Sequence, residues 1–265
     1  YNRIIGHYEV RLDHPGRDRE MGRIWRLVYN GPEAKRLAKP VDLTQAKLHT
    51  AIDELSSPLL ARRMTATEYL VDDIGTLAVE PLGQAIAKSN ASSELKAHGA
   101  WALHRLAKLD EPTLLRLAKD KKTLVRSHRR RIAGDQKTWT PTVHKMVLTG
   151  LEDESPHVRR AAAYALALRP QAENIRPLLR ALDSVPERDE HLQHALRIAL
   201  RNNFRSAKRL ADFDDLKSNK AALRHLMRVA LAVESPFAGE LLLANLETAE
   251  LGICLLYTSP SPRDR

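Results

Sequence analysis

Four cations stand at helical spacing in one stretch. Lys122, Arg126, Arg129 and Arg130 follow an i, i+4, i+7, i+8 pattern, which places them on one face of a helix. Lys119, Lys121 and Arg131 add to the local charge. Such a face could track the phosphates of a nucleic acid. The same spacing also fits a solvated face balanced by acids from neighbouring segments. Trp139 is the one aromatic close enough in sequence to stack on a base, so the stretch lacks aromatic interleaving. Nucleic acid is therefore not the expected partner. His191 and His194 stand at i, i+3 after Asp189 and Glu190, a spacing that can chelate zinc or copper. No third ligand is evident, and the pair reads as a satisfied surface pair. Glu94 and His98, at i, i+4, read as a local hydrogen bond. His14, Arg17, Asp18 and Arg19 sit together on a Pro–Gly loop, where functional residues collect. The chain has no G-x-S-x-G, no Walker loop and no H-E-x-x-H. No catalytic, cofactor-binding or metal-binding residue is assigned.

The elements that must carry these residues follow from composition and period. The chain has 265 residues, and its 43 basic against 33 acidic side chains give a formal net charge of +10. Hydrophobic residues at 43% and charged residues at 29% match a folded globular protein and exclude wholesale disorder. Aromatics are 5% while Ala, Leu and Arg abound, which favours helices over an all-β chain. No apolar run approaches the ~18 residues of a membrane helix.

Residues 1–31 read as a β-hairpin. His7–Leu12 places Tyr8, Val10 and Leu12 on one face, and Gly22–Tyr29 places Trp25, Leu27 and Tyr29 on another. Residues 32–42 form a polar linker containing Pro32 and Pro40. From Leu43 the pattern is helical and repeats. Apolar anchors recur at Leu60, Leu95, Val125, Val158, Leu192 and Leu223, at spacings of 35, 30, 33, 34 and 31. Two-helix units at this period fit a HEAT-type α-solenoid over residues 43–253. The clearest copy is SPHVRRAAAYALAL, where Ser155 can cap and Pro156 suits the first turn. Gly99, Ala100, Ala162, Ala163 and Ala195 are small enough for close helix approach. Trp101 and Tyr164 each fall six residues after an anchor, which predicts core packing for both. The unit near Phe237–Leu251 is expected to lack a polar cap.

The N-terminal stretch carries three further motifs: YNRIIGHYEV at Tyr1–Val10, HPGRDR at His14–Arg19, and GRIWR at Gly22–Arg26. Together they resemble the end of the β-propeller in the membrane-bound dehydrogenase-like proteins of planctomycetes and verrucomicrobia, whose propellers are similar to glucose/sorbosone dehydrogenases. In that family HEAT-like repeats follow the propeller, and SPLLARRMTATEYLVDD resembles the first of them. The match is specific over about 30 residues and weaker over the repeats. The resemblance implies a parent that oxidises sugars or alcohols. It implies a quinone cofactor or calcium in earlier propeller blades and haem c in a downstream C-x-x-C-H domain. It also implies an exported, periplasmic or membrane-associated location. His14, Arg17, Asp18 and Arg19 would then lie at the propeller mouth or in a blade-closing loop held by Arg–Asp hydrogen bonds.

Cys254–Arg265 reads CLLYTSPSPRDR, and its codons from Cys254 to Asp264 can be written as a transposase-type sequencing adapter. The expectation is an artefactual, disordered tail on an internal fragment, with no natural cysteine. The function expected of the chain itself is a non-catalytic scaffold. It would position the upstream propeller relative to a downstream domain, or hold a protein partner on the concave face of the solenoid. The alternative is a basic HEAT module that binds nucleic acid or a protein.

Overall fold

Helix starts along the chain are written in its polar residues. Ser92, Asp110, Thr140, Asp189, Asn219 and Ser235 each accept a hydrogen bond from the backbone N–H three residues on, at 3.0–3.1 Å. Each bond satisfies one donor that the first turn leaves without an intrahelical partner. Proline opens several of the same helices, where its missing N–H costs nothing.

The structure, a computed structural model, describes Gly31, Asp42, Leu43 and residues 46–207 and 219–245. The chain divides into two units, Tyr1–Val41 and Asp42–Arg265. The expected hairpin over 1–31, most of the 32–42 linker and the tail over 254–265 lie outside the described residues.

The second unit is a succession of helix pairs. Helices α1 (Leu48–Glu54) and α2 (Leu60–Glu68) form the first pair. A π-helical stretch, Tyr69–Ile74, and a 3-10 turn, Gly75–Ala78, lead into α3 (Val79–Ala87) and α4 (Ser93–Arg105). Next come α5 (Glu111–Leu117) with α6 (Thr123–Asp135), and α7 (Pro141–Thr149) with α8 (Pro156–Leu168). Helices α9 (Ile175–Asp183) and α10 (Glu190–Phe204) follow, then α11 (Lys220–Ala230) and α12 (Pro236–Ala244). No strand occurs among the described residues. The second helices α4, α6, α8 and α10, and then α11, stack on one another in sequence order.

The repeat anchors hold this stack together. Val125 and Val158 are fully buried, and Leu95, Leu192 and Leu223 are nearly so. Leu60 departs from the pattern: it is 56% exposed. Helix α2 buries Ala66 and Thr67 instead, while Leu60 and Met64, one turn apart, face solvent. Ser155 also departs from expectation. It occupies the cap position of α8, yet its side chain makes no capping bond. Its own N–H donates to Asp153 Oδ1 at 3.0 Å.

Small residues set the closest approaches. A Cβ at Gly134 would stand 2.8 Å from the Cα of Ala165 in the neighbouring α8. A Cβ at Gly99 would stand 2.7 Å from Ile86 Cγ2. Gly83, by contrast, has nothing within 4 Å of that position. The two helical glycines therefore answer oppositely to the same change. Gly134→Ala is expected to destabilise by about 1–3 kcal/mol, because backbone cannot yield as a side-chain tip can. Gly83→Ala is expected to stabilise by about 0.5–1 kcal/mol through helix propensity alone. Urea midpoints for both variants check this, and equal shifts of one sign would refute the packing argument.

Candidate functional site

Burial decides which of the sequence-predicted cations can act at a surface. Lys122 is exposed, but Arg126, Arg129 and Arg130 are 9%, 0% and 5% exposed. The basic face expected from their spacing is thus turned inward, and no phosphate-tracking row forms there. Arg126 reaches across to the next repeat. Its Nε and Nη2 donate to the two oxygens of Asp153 at 2.8 and 2.9 Å, and Nη2 also reaches Glu154. The Asp153 hydrogen bond raises the Arg126 pKa further. Burial acts to raise the Asp153 pKa, but the bonds from Arg126 and the Ser155 N–H outweigh it and hold the carboxyl below its usual range. Arg130 Nη1 donates to the carbonyls of Ala118 and Arg126. Gly150 makes room for it, since a Cβ there would collide with Arg130 Nε.

Arg129 is the costly one. Its Nη2 donates to Ala97 O at 3.2 Å and Lys96 O at 3.4 Å, while Nε and Nη1 have no partner. Burial pushes its pKa down to about 9, which leaves it cationic at neutral pH.

Hydrogen bonds from neighbouring elements fix the tautomers of His98 and His128. Thr67 Oγ1 donates to Arg63 O at 2.7 Å, so at 3.1 Å from His98 Nδ1 it must accept. His98 Nε2 in turn accepts from Arg63 Nε at 3.2 Å. Glu94 accepts from Ser93 Oγ at 2.9 Å, and no Glu94–His98 hydrogen bond forms. In α6, His128 Nδ1 accepts from Trp101 Nε1 at 2.9 Å, which puts its proton on Nε2. Burial, then the charges of Arg129 and Arg131, push His128 down to about 4. It is neutral at physiological pH.

His128 sits at one edge of a groove of about 910 Å³ that crosses α6, α8 and α10. Its floor is made of short or apolar side chains: Ala161, Ala167, Ala195 and Ile198. Leu124 and Tyr164 rise from it, 40% and 47% exposed. Tyr164 was expected in the core by analogy with Trp101. Trp101 does pack against the core, half-buried, but Tyr164 stands in the groove under the guanidinium of Arg131, 5.7 Å from its ring centroid. His191 and His194, from the sequence pair, line the same groove together with His157. Among the described residues no group of three or more candidate ligands is placed to hold a metal ion. His14, Arg17, Asp18 and Arg19 lie outside the described residues.

The groove was not legible as such in the sequence. Its signal is the histidine at the second position of both α8 and α10, His157 and His191, beside exposed aliphatic and aromatic residues. The family model for the HEAT repeat matches residues 145–167, which run from α7 into α8. The α7–α8 pair is a HEAT repeat, and the array is a helical scaffold of the kind that stacks units into extended binding surfaces. No curated protein matches the chain.

Two outcomes follow from the buried groups. Arg129→Met is expected to stabilise by about 1–3 kcal/mol, because it removes a buried and half-partnered charge and keeps the volume. A fall in the urea midpoint would show that the guanidinium is a net contributor. The His128 pKa is depressed on folding, so the unfolded chain takes up its proton first. Its stabilising contribution is whole above about pH 6.5 and declines as pH falls toward 4. Burial lowers His98 and His225 in the same direction. The urea midpoint should therefore fall between pH 7 and 5, and His128→Asn should flatten that slope; an unchanged slope would refute the assignment.

Proposed function

We propose that this chain is a scaffold and protein-docking segment, with the groove across α6, α8 and α10 as its docking face. The observation that carries the reading is the pair of exposed side chains, Leu124 and Tyr164, standing over a floor of alanines on the second-helix row. Large apolar side chains are exposed together in a concave site when something else covers them. The repeats supply rigidity, and the groove supplies recognition. The chemistry of a reaction centre is not part of this reading: the groove's polar groups are histidines, arginines and the hydroxyls of Thr123, Ser127 and Tyr164, and no hydrogen bond joins one of those hydroxyls to a histidine among the described residues.

The wider setting is also proposed. The motifs at Tyr1–Val10, His14–Arg19 and Gly22–Arg26 support placing the array directly after a glucose/sorbosone-dehydrogenase-like propeller in an exported protein. There the scaffold would hold the propeller against a downstream electron-accepting cytochrome c domain. Any quinone, calcium or haem would belong to those other parts.

A photo-crosslinking amino acid at position 164, in the chain expressed in its source cells, is expected to give protein adducts. The same group at Glu173, exposed ahead of α9, is expected to give none. Adducts of equal yield from both positions would refute a defined docking face. Dye-linked oxidation of aldoses or primary alcohols by the purified chain would refute the non-catalytic reading. Reading the source DNA outward from the codons for residues 200–250 tests the setting: a frame that closes without C-x-x-C-H removes the electron relay.

A further inference from the structure

The groove is lined by two guanidinium cations and has no acid. Its lining residues include Arg131, Arg160 and four histidines, and neither Asp nor Glu is among them. Arg131 and Arg160 have no carboxylate partner among the described residues. The nearest acid along α6, Asp135, is engaged by His104 Nε2 at 2.9 Å. Guanidinium has no acceptor capacity. His128 offers the Nε2–H that its bond from Trp101 leaves over. His157 Nδ1 lies 3.0 Å from Arg160 Nη2, which can only donate, so the His157 proton is on Nε2 as well. A ligand in this groove meets hydrogen-bond donors and positive charge at the edges and aliphatic surface below.

The width of the site limits the ligand. Neighbouring packed helices lie about 8–10 Å apart, so three helices span roughly 20 Å. An extended chain rises about 3.3 Å per residue, so roughly six residues cross the groove. Nucleic acid fits less well. Arg126, Arg129 and Arg130 are buried, and the lining's rings are Tyr164 and four small imidazoles over a floor of Ala161, Ala167, Ala195 and Ile198. A polyanion would leave that aliphatic floor unused.

We propose that the groove docks an acidic, apolar-anchored segment of a partner protein. About six residues lie extended across α6, α8 and α10. Their carboxylates pair with Arg131 and Arg160, and a Leu or Phe side chain rests on the alanine floor against Leu124 and Tyr164. This rests on the docking reading above and names the partner's chemistry.

Fluorescence anisotropy on the full chain tests it with four labelled probes: (Glu-Glu-Leu-Phe)3, (Lys-Lys-Leu-Phe)3, a Glu-only dodecamer, and single-stranded dT of twelve nucleotides. The first is expected to bind at least tenfold tighter than each of the others. Arg131→Glu with Arg160→Glu should weaken it at least tenfold. Leu124→Ser with Tyr164→Ser should weaken it at least fivefold. Lys137→Glu with Lys145→Glu, an equal charge change at exposed sites outside the groove, should weaken it less than twofold. Thermal midpoints of all variants are compared with the parent, and single Arg131→Gln and Arg160→Gln variants replace any reversal that unfolds. Equal binding of the Lys probe, still lost with Leu124→Ser and Tyr164→Ser, would overturn the acidic partner and leave the docking face standing. Tighter binding of dT, lost with the arginine variants, would overturn it in favour of nucleic acid. Binding of none of the probes, or binding that no groove variant changes, would overturn the proposal and the docking face together.

Discussion

Two successive junctions of the stack, α4 to α6 and α6 to α8, are held by the same contact: a cation one residue after the anchor of one second helix clamps an acid in the loop before the next. Lys96, after Leu95, reaches Asp120 at 2.8 Å. Arg126, after Val125, reaches Asp153 at 2.8 Å. Each clamped acid stands five residues before the anchor that follows it. Both acids also accept a backbone N–H of their own loop, from Lys122 and Ser155, so the clamp fixes the loop and the incoming helix together. A two-helix unit cannot bury its own face, and apolar packing alone does not set the register between units. A half-buried ion pair with saturated geometry does, because a slip would strand both charges. At these two junctions the fixed five-residue offset between clamped acid and anchor ties the start of the incoming helix to the clamp.

A second polar thread does the same work further along, without charge. His144 of α7 bonds Asn174 Oδ1 at 2.6 Å, and Asn174 Nδ2 donates to Asn203 Oδ1 at 2.8 Å. Asn203 Oδ1 also accepts the Gln171 N–H, and its Nδ2 donates to Leu166 O and Ala199 O. Both asparagines are fully buried. Every polar atom of these two amides is therefore engaged, which is the condition under which a buried network specifies a structure and does not weaken it. The network crosses from α7 to α10, the same repeats that carry the groove. Groove geometry is thus set from behind by side chains that never touch a ligand.

The sequence exposed the repeat and concealed the site for a common reason. Period reports which residues share a face, not which way that face points. Aliphatic anchors carry their own direction: Val125, Val158 and Leu192 can only be inside, and they are. Arginine does not. Arg126, Arg129 and Arg130 share a face with each other and with the core, because a guanidinium can be carried inside by a carboxylate or by carbonyls. The partners Asp153, Lys96, Ala97 and Ala118 lie 12–33 residues away in sequence and leave no local mark. Leu60 misled in the opposite sense: an apolar residue at a helix start, with no following stripe on its own side.

Trp101 and Tyr164 show how equivalent repeat positions diverge. Both stand six residues after an anchor, and in a perfect repeat both would be packed alike. Trp101 meets His128 from the next helix, whose Nδ1 accepts its N–H, so the indole lies down against the core. Tyr164 shares its groove with Ala195 and Ile198 of α10, and neither side chain offers an acceptor for its hydroxyl. The ring stays upright under Arg131 and the space beside it remains open. The groove therefore begins where the tryptophan–histidine contact ends. At the position of His128 in α6, α10 carries Ala195, and the missing acceptor and bulk leave a groove where the preceding interface is packed. On the proposed reading, the docking face arises where the repeat omits a contact.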